Sequence, residues 1–172
     1  FGPLLARRLG ADYRVIAYSG YGVVRNYAGK FPGESLPFLY PRALPGEPAP
    51  AAPDPGWKPW AIVVNLGTND FSTPLHAGEA WADEAALRAA YRARYIDFVK
   101  ELRRRQPQAR LVLMAAGNFH AEVAAVFLHP VLQRGLLVVA QPHGAQRLVG
   151  LQVFVRHRAD GHQAQLLGQQ HV

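Results

Sequence analysis

The stretch IVVNLGTNDFS, residues 62–72, joins an apolar run to a cluster of turn-forming and polar residues. The longer run WAIVVNLG, residues 60–67, has the length of a strand and no polar alternation, which is typical of a strand buried on both faces of a parallel sheet. Ligands of open α/β sheets bind beyond the carboxyl ends of the strands. The residues GTND, 67–70, therefore form either a tight turn or part of a site, and we favour a site.

Strand-like and helix-like segments alternate along the chain. A helix of 83–105 is the clearest, because its apolar residues recur every three or four positions in one stripe: Leu87, Tyr91, Tyr95, Phe98 and Leu102. A helix ending at Gly10 and another over 119–129 are also predicted. The predicted strands are 13–19, 60–67, 109–116, 135–140 and 151–155. This alternation predicts a parallel α/β sheet with helices on both faces.

Composition narrows the class of protein. The chain has 172 residues, of which 49% are hydrophobic, and this suits one domain, residues 1–172, with a sizeable core. No run approaches the roughly 18 apolar residues of a membrane helix. There is no cysteine, so cysteine-based metal or nucleophile sites are excluded. The net charge of +7 comes mainly from scattered arginines, and we expect neither a nucleic-acid nor a membrane partner.

Residues 32–59 hold nine of the 14 prolines. Proline lacks the backbone N–H that helices and central strands use, so both are predicted to be excluded there. We expect a long surface loop within the domain.

A second glycine-containing motif, YSGYGVVRNY at residues 18–27, follows the predicted strand 13–19. A glycine leaves its backbone N–H unobstructed. An exposed N–H beside an asparagine amide is the donor set of an oxyanion hole, in which neutral donors converge where negative charge develops. Asn69 would supply the side-chain donor, and Gly22 or alternatively Gly20 the backbone donor. The alternative is that both motifs are simple turns.

These two motifs resemble conserved blocks of a known family. GTND after an apolar strand is similar to the third block of SGNH (GDSL-type) hydrolases, and SGYGVVRNY resembles the second block of carbohydrate esterase family 2. The resemblance covers about residues 1–120. It implies a three-layer α/β/α, flavodoxin-like fold and a serine esterase that removes O-acetyl groups from xylan-type polysaccharide through an acyl-enzyme. It further implies a secreted or periplasmic monomer with no cofactor or metal.

The family's last block resembles ADGHQ, residues 159–163. The resemblance makes His162 the general base and Asp160 the residue that orients it. Gln163 stands where the family has proline, and His157 is a rival base. The alternative is a surface histidine in a glutamine-rich tail, because eight glutamines and five of the seven histidines lie beyond residue 122. A shift of reading frame beyond about residue 130 would also explain this composition.

The family's first block, Gly-Asp-Ser, carries the nucleophile and is not found in this chain. The three serines, Ser19, Ser35 and Ser72, lie outside such a context. We therefore expect a fragment without its nucleophile, inactive alone, with a sheet that lacks a central strand and leaves that strand's neighbours unpaired. The second hypothesis is a non-catalytic module that binds an ester or a carbohydrate.

Aromatic residues flank the GTND motif. Phe71 and Trp81 are predicted to line the acyl pocket, although tryptophan beside a buried strand more often packs in the core. The histidines are dispersed and show no spacing that predicts a zinc site.

Overall fold

The computed structural model of the chain describes residues 2–42, 47, 56–115, 120–127, 136–140 and 151–157. For residues 120, 126–127, 136–140 and 151–157 it describes the backbone alone. The helices are α1 (Gly2–Arg8), α2 (Leu36–Leu39), α3 (Glu84–Arg105) and α4 (His120–Phe127). The strands are β1 (Ala11–Ala17), β2 (Ala61–Asn65), β3 (Arg110–Ala115), β4 (Leu136–Ala140) and β5 (Leu151–His157).

The five described strands form one sheet in the order β1-β5-β2-β3-β4. The β2–β3 and β3–β4 pairs are parallel. β5 is antiparallel to both of its neighbours, β1 and β2. The predicted α/β class is confirmed, with one antiparallel strand inside the sheet. The expectation of unpaired central strands is wrong for the described sheet, because β5 hydrogen-bonds to both β1 and β2.

β2 is buried along its whole length, as its unbroken apolar sequence predicted. Alternate residues of a strand point to opposite faces of a sheet. Ile62, Val64 and Leu66 belong to the main core, which they share with α3 and α4. Val63 faces the other side, where it forms a smaller cluster with Ala11. α1 packs against β1 and lines a cavity together with Ala11 on that second side.

α3 confirms the predicted helix of 83–105. All five residues of its predicted stripe are buried. The Asp83 side chain accepts a hydrogen bond of 2.8 Å from the Ala86 N–H and thereby satisfies a free donor at the amino end. Three arginines occupy the last turn, where cations favour the negative end of the helix dipole. No helix in the described ranges is both long and apolar enough to span a membrane.

The proline-rich segment contains a short helix that the sequence analysis excluded. α2 begins after Ser35 and places Pro37 in its first turn, where the missing N–H has no helical acceptor to lose. Leu36 and Leu39 are buried against the main core. The proline count was therefore misleading for these four residues, because proline excludes a helix interior but not a helix start.

Candidate active site

The loops that follow β1 and β2 meet at the carboxyl ends of these strands. Asn69 makes the contact between them, because its Nδ2 donates a hydrogen bond of 2.8 Å to the Tyr21 carbonyl oxygen. The two motifs singled out in the sequence are thus brought together in space.

A turn at Gly67 directs the second loop across the end of the sheet. Gly67 is buried and has a φ of +127°, a conformation that favours glycine. The preceding carbonyl, that of Leu66, accepts a hydrogen bond of 3.0 Å from the Tyr91 hydroxyl of α3. The turn is therefore fixed from the helix side, and it presents Thr68, Asn69 and Asp70 to the loop after β1.

Asp70 is fully buried, and its carboxylate binds three consecutive backbone N–H groups of the other loop. Val23 donates to both carboxylate oxygens at 3.1 and 2.9 Å, Val24 donates at 2.8 Å and Arg25 at 3.0 Å. Burial raises the pKa of Asp70 to about 6, while the three N–H donors oppose that rise. The carboxylate thus fixes the backbone of residues 23–25 and has no solvent access for acid–base chemistry.

Gly22 lies against this carboxylate. A Cβ at Gly22 would overlap the Arg25 carbonyl oxygen and an Asp70 carboxylate oxygen. The Gly22 N–H donates to Asn26 Oδ1 at 3.1 Å. The Asn26 amide in turn donates to the carbonyls of Phe31 and Glu34. Gly22 is therefore required for close packing, and its N–H already has an acceptor.

Gly20 is the other predicted backbone donor. Its φ is +84°, and its carbonyl accepts a hydrogen bond of 2.7 Å from the Tyr27 N–H. None of the described residues accepts a hydrogen bond from the Gly20 N–H or from the second N–H of the Asn69 amide. The assignment of the backbone donor to Gly22 or Gly20 stays a prediction; the described residues supply an acceptor for the Gly22 N–H and none for the Gly20 N–H.

Arg25 binds the part of the loop after β2 that follows Asp70. The sequence analysis did not identify this residue. Its side chain is fully buried and pairs with Glu79 through bonds of 2.6 and 2.8 Å. It also donates to the carbonyls of Asp70, Thr73 and Pro74 at 3.2, 2.9 and 2.9 Å. The Arg25 guanidinium holds the pKa of Glu79 at about 2. The one signal in the sequence for a buried, paired arginine was its position directly after two valines in VVRNY.

The proposed base and its partner, His162 and Asp160, lie outside the described residues. For the rival, His157, the structure describes the backbone as the last residue of β5. Ser19 is exposed, and Ser35 precedes α2. The Ser72 hydroxyl donates to the Asn69 carbonyl at 3.2 Å. Among the described side chains, no serine hydroxyl is hydrogen-bonded to a histidine.

Phe71 belongs partly to the core and partly to an open cavity. Its ring lies 5.0 Å from that of Tyr91, and the Arg88 guanidinium carbon lies 4.8 Å from its centroid. The cavity that it lines runs along residues 71–75 to the start of α3. Trp81 is half-buried. The roles of both residues in an acyl pocket stay predictions.

The described part of the chain contains no group of three or more histidine or acidic residues arranged to hold a metal ion.

Comparison with known proteins gives consistent relatives, although no family model matches the chain. The chain is 45% identical over 124 residues to an acetylxylan esterase / glucomannan deacetylase of Cellvibrio japonicus, and the match covers 72% of the chain and 34% of that protein. It is 34% identical over 116 residues to the cellulase/esterase CelE of Acetivibrio thermocellus, covering 64% of the chain and 12% of that protein. The chain thus spans about a third or less of these curated relatives.

Solved structures agree with the curated relatives. One is a carbohydrate esterase whose active site has divergent catalytic and non-catalytic binding functions; it is 38% identical with a TM-score of 0.76, over 82% of this chain and 47% of that one. Another is a family two carbohydrate esterase from Clostridium thermocellum in complex with cellohexaose, 27% identical with a TM-score of 0.67, over 82% of this chain and 43% of that one. The curated relatives and the solved structures are carbohydrate esterases, family 2 among them, and the chain is similar to part of their length with an α/β fold.

Proposed function

We propose that these residues form the oxyanion-binding part of a serine esterase that removes O-acetyl groups from xylan-type polysaccharide. The observation that carries the proposal is the Asn69 amide. One of its N–H groups is fixed on the Tyr21 carbonyl at 2.8 Å, and the other has no described partner. An amide held in this way is already oriented before an ester arrives, which is what stabilisation of a developing oxyanion requires.

The reaction proceeds through an acyl-enzyme. A serine oxygen bonds to the acetyl carbonyl carbon, its proton passes to a histidine, and the carbonyl oxygen becomes negative beside Asn69 and the Gly20 or Gly22 N–H. The bond to the sugar oxygen then breaks, and the histidine gives the proton to that oxygen. Water repeats the sequence and releases acetate. His162 is proposed as the histidine and Asp160 as its orienting partner.

The nucleophile is not assigned to any of the three serines. Ser19 and Ser72 are exposed loop residues, and Ser35 stands before α2. We therefore expect residues 1–172 to show no esterase turnover by themselves. Because a polysaccharide does not cross a membrane, the protein would act outside the cytoplasm, as a secreted or periplasmic protein.

The experiment compares the product of the complete gene with residues 1–172 on p-nitrophenyl acetate and on acetylated xylan. We expect acetate release from the complete product, with kcat lower by about 10²–10³-fold in Asn69→Ala. Unchanged kcat in Asn69→Ala would contradict the proposal. Turnover by residues 1–172 that Ser19→Ala abolishes would contradict the exclusion of these serines.

A second candidate is a binding module that holds an acetylated carbohydrate without cleaving it. It is favoured by the second N–H of the Asn69 amide, which has no acceptor among the described residues, in a described region without a serine–histidine pair. A structural neighbour combines catalytic and non-catalytic binding functions in its active site. Calorimetry with acetylated xylo-oligosaccharides separates the two, because binding without acetate release by the complete product would establish the second candidate.

A further inference from the structure

Phe31 holds an unfavourable backbone conformation and an exposed side chain. Its φ is +51°, in the left-handed region that bulky residues avoid, and its side chain is 59% exposed. The same loop has left-handed conformations at Ala28, Gly29 and Gly33, and of these four residues Phe31 has the largest side chain. Strained residues of this kind, whose burial does not offset the strain, cluster at sites that contact ligands.

Phe31 is the outer member of an aromatic row formed by Tyr18, Tyr21 and Phe31. The rings of Tyr21 and Phe31 are stacked, with centroids 6.2 Å apart and 11° between their planes. The ring of Tyr18 meets Tyr21 edge-on at 4.5 Å. Tyr21 is nearly covered, whereas Tyr18 is 42% exposed. One face of Phe31 thus packs on Tyr21, and its exposure leaves the rest of the ring to solvent.

Polar groups border this aromatic surface. The Tyr21 hydroxyl donates to a Glu34 carboxylate oxygen at 3.4 Å, and the Glu34 N–H donates to the Phe31 carbonyl at 3.2 Å. Glu34 is itself exposed, so its carboxylate can accept hydrogen bonds from ligand hydroxyls. An apolar platform with a few polar groups at its edge is the arrangement that binds an amphipathic ring. A pyranose has an apolar C–H face and hydroxyls around its rim.

The aromatic row is connected to the proposed oxyanion site through Tyr21. The carbonyl of Tyr21 accepts the Asn69 amide, and its ring lies between Tyr18 and Phe31. We propose that Tyr18 and Phe31 form a sugar-binding subsite that takes a pyranose unit of the polysaccharide next to the unit that carries the acetyl group, with Glu34 accepting its hydroxyls. This inference rests on the proposed function for the nature of the polymer.

The first test measures binding of unacetylated xylohexaose and cellohexaose to residues 1–172 by calorimetry. We expect Phe31→Gly to weaken binding by about tenfold, because an aromatic contact is removed, and Phe31→Trp to retain it. Phe38→Ala is the matched control, since Phe38 is also exposed but lies on α2. Equal affinity in the wild type and Phe31→Gly, or no binding of either sugar by the wild type, would overturn the subsite.

The second test separates a ligand role from a structural one. Phe31→Gly relieves the left-handed strain, so we expect its unfolding equilibrium constant in urea to stay within about tenfold of the wild type. A larger loss of stability would overturn the inference, because Phe31 would then be retained for its contact with Tyr21.

The third test distinguishes failure of the subsite from failure of the proposed function. In the complete gene product, Phe31→Gly should raise KM for acetylated xylo-oligosaccharides by a larger factor than it changes the turnover of p-nitrophenyl acetate, which has no sugar. Equal loss on both substrates would contradict a sugar subsite. Sugar binding that depends on Phe31 in a product without esterase activity would support the subsite and reject the esterase.

Discussion

Gly22 and Asp70 are packed so closely that no side chain fits between them. A Cβ built on Gly22 would lie 2.8 Å from Asp70 Cγ and would overlap one of the carboxylate oxygens. The loops after β1 and β2 therefore pack together where Gly22, which has no side chain, contacts the buried carboxylate of Asp70. Because Asn69 is the immediate neighbour of Asp70, a change in this contact would also change the geometry of the site.

Gly22→Ala should lower the free energy of unfolding by about 2–3 kcal/mol, through overpacking. Gly33→Ala is the control, because Gly33 has a left-handed φ of +84° but nothing within 4 Å of its Cβ position. Its cost should be about 1 kcal/mol from backbone strain alone. Urea unfolding measures both, and a Gly22→Ala cost no greater than that of Gly33→Ala would rule out the steric explanation.

Glu79→Gln should cost about 3 kcal/mol, since it leaves the buried guanidinium of Arg25 without its opposite charge. Glu101→Gln is the matched control, because Glu101 pairs with Arg105 in a more exposed position and should cost less than about 0.5 kcal/mol. Equal effects of the two substitutions in chemical denaturation would contradict the structural importance of the Arg25–Glu79 pair.

The Arg25–Glu79 pair also predicts a pH dependence. The pKa of Glu79 falls from an ordinary value of 4.5 to about 2 in the folded chain. A lowered pKa means that the stabilisation is complete above about pH 4.5 and is lost as the pH falls towards about 2. The difference in unfolding free energy between wild type and Glu79→Gln should therefore shrink over that interval. A difference that grows on acidification would have the wrong sign.

Asp70→Asn should destabilise the chain by about 2 kcal/mol, because the NH2 of an amide cannot accept from the three buried N–H groups, whereas both carboxyl oxygens can, protonated or not. The pKa of Asp70 rises from an ordinary value of 3.8 to about 6 on folding. A raised pKa gives stability that is present below about pH 4 and is lost as the pH rises through about 6. The gap between wild type and Asp70→Asn should thus be larger at about pH 4 than at about pH 7, as measured by urea titrations at both values.

Tyr91 and Tyr95 provide a matched pair on α3. Their rings stack at 5.4 Å, and both are fully buried. The Tyr91 hydroxyl donates to the Leu66 carbonyl, whereas the Tyr95 hydroxyl has no partner in the described part of the chain. We expect Tyr91→Phe to lower the free energy of unfolding by about 1 kcal/mol and Tyr95→Phe to raise it by about 1 kcal/mol. Tm should therefore fall in the first variant and rise in the second. Thermal unfolding that shows the same sign for both would contradict this assignment.

The regular elements were predictable from the sequence because their signals are local. The stripe of α3 and the apolar run of β2 predict burial directly, because the residue types at these positions are apolar. The position of β5 was not predictable, because strand order and direction depend on pairing between distant residues. α2 was missed because proline content was applied to a whole segment, while the effect of Pro37 depends on its place within a turn.

The candidate site was predictable where a motif carries its chemistry locally. Gly67 and Asn69 could be identified from GTND alone. Their contact with the loop after β1 could be predicted because both loops follow the carboxyl ends of strands in one sheet. Arg25 and Glu79 could not be paired in advance, since 54 positions separate them and no spacing rule connects loop residues. The strain at Phe31 is also invisible in the sequence, because it is a property of the backbone angle.

The placement of β5 has a consequence for the order in which the chain is assembled. Within the described sheet β1 pairs with β5 and with no other strand. During synthesis β1 therefore leaves the ribosome about 140 residues before its partner, and such distant pairing makes folding slow. β1 is thus made well before the strand that pairs with it, and its hydrogen bonds to the described sheet form only after translation has passed residue 157.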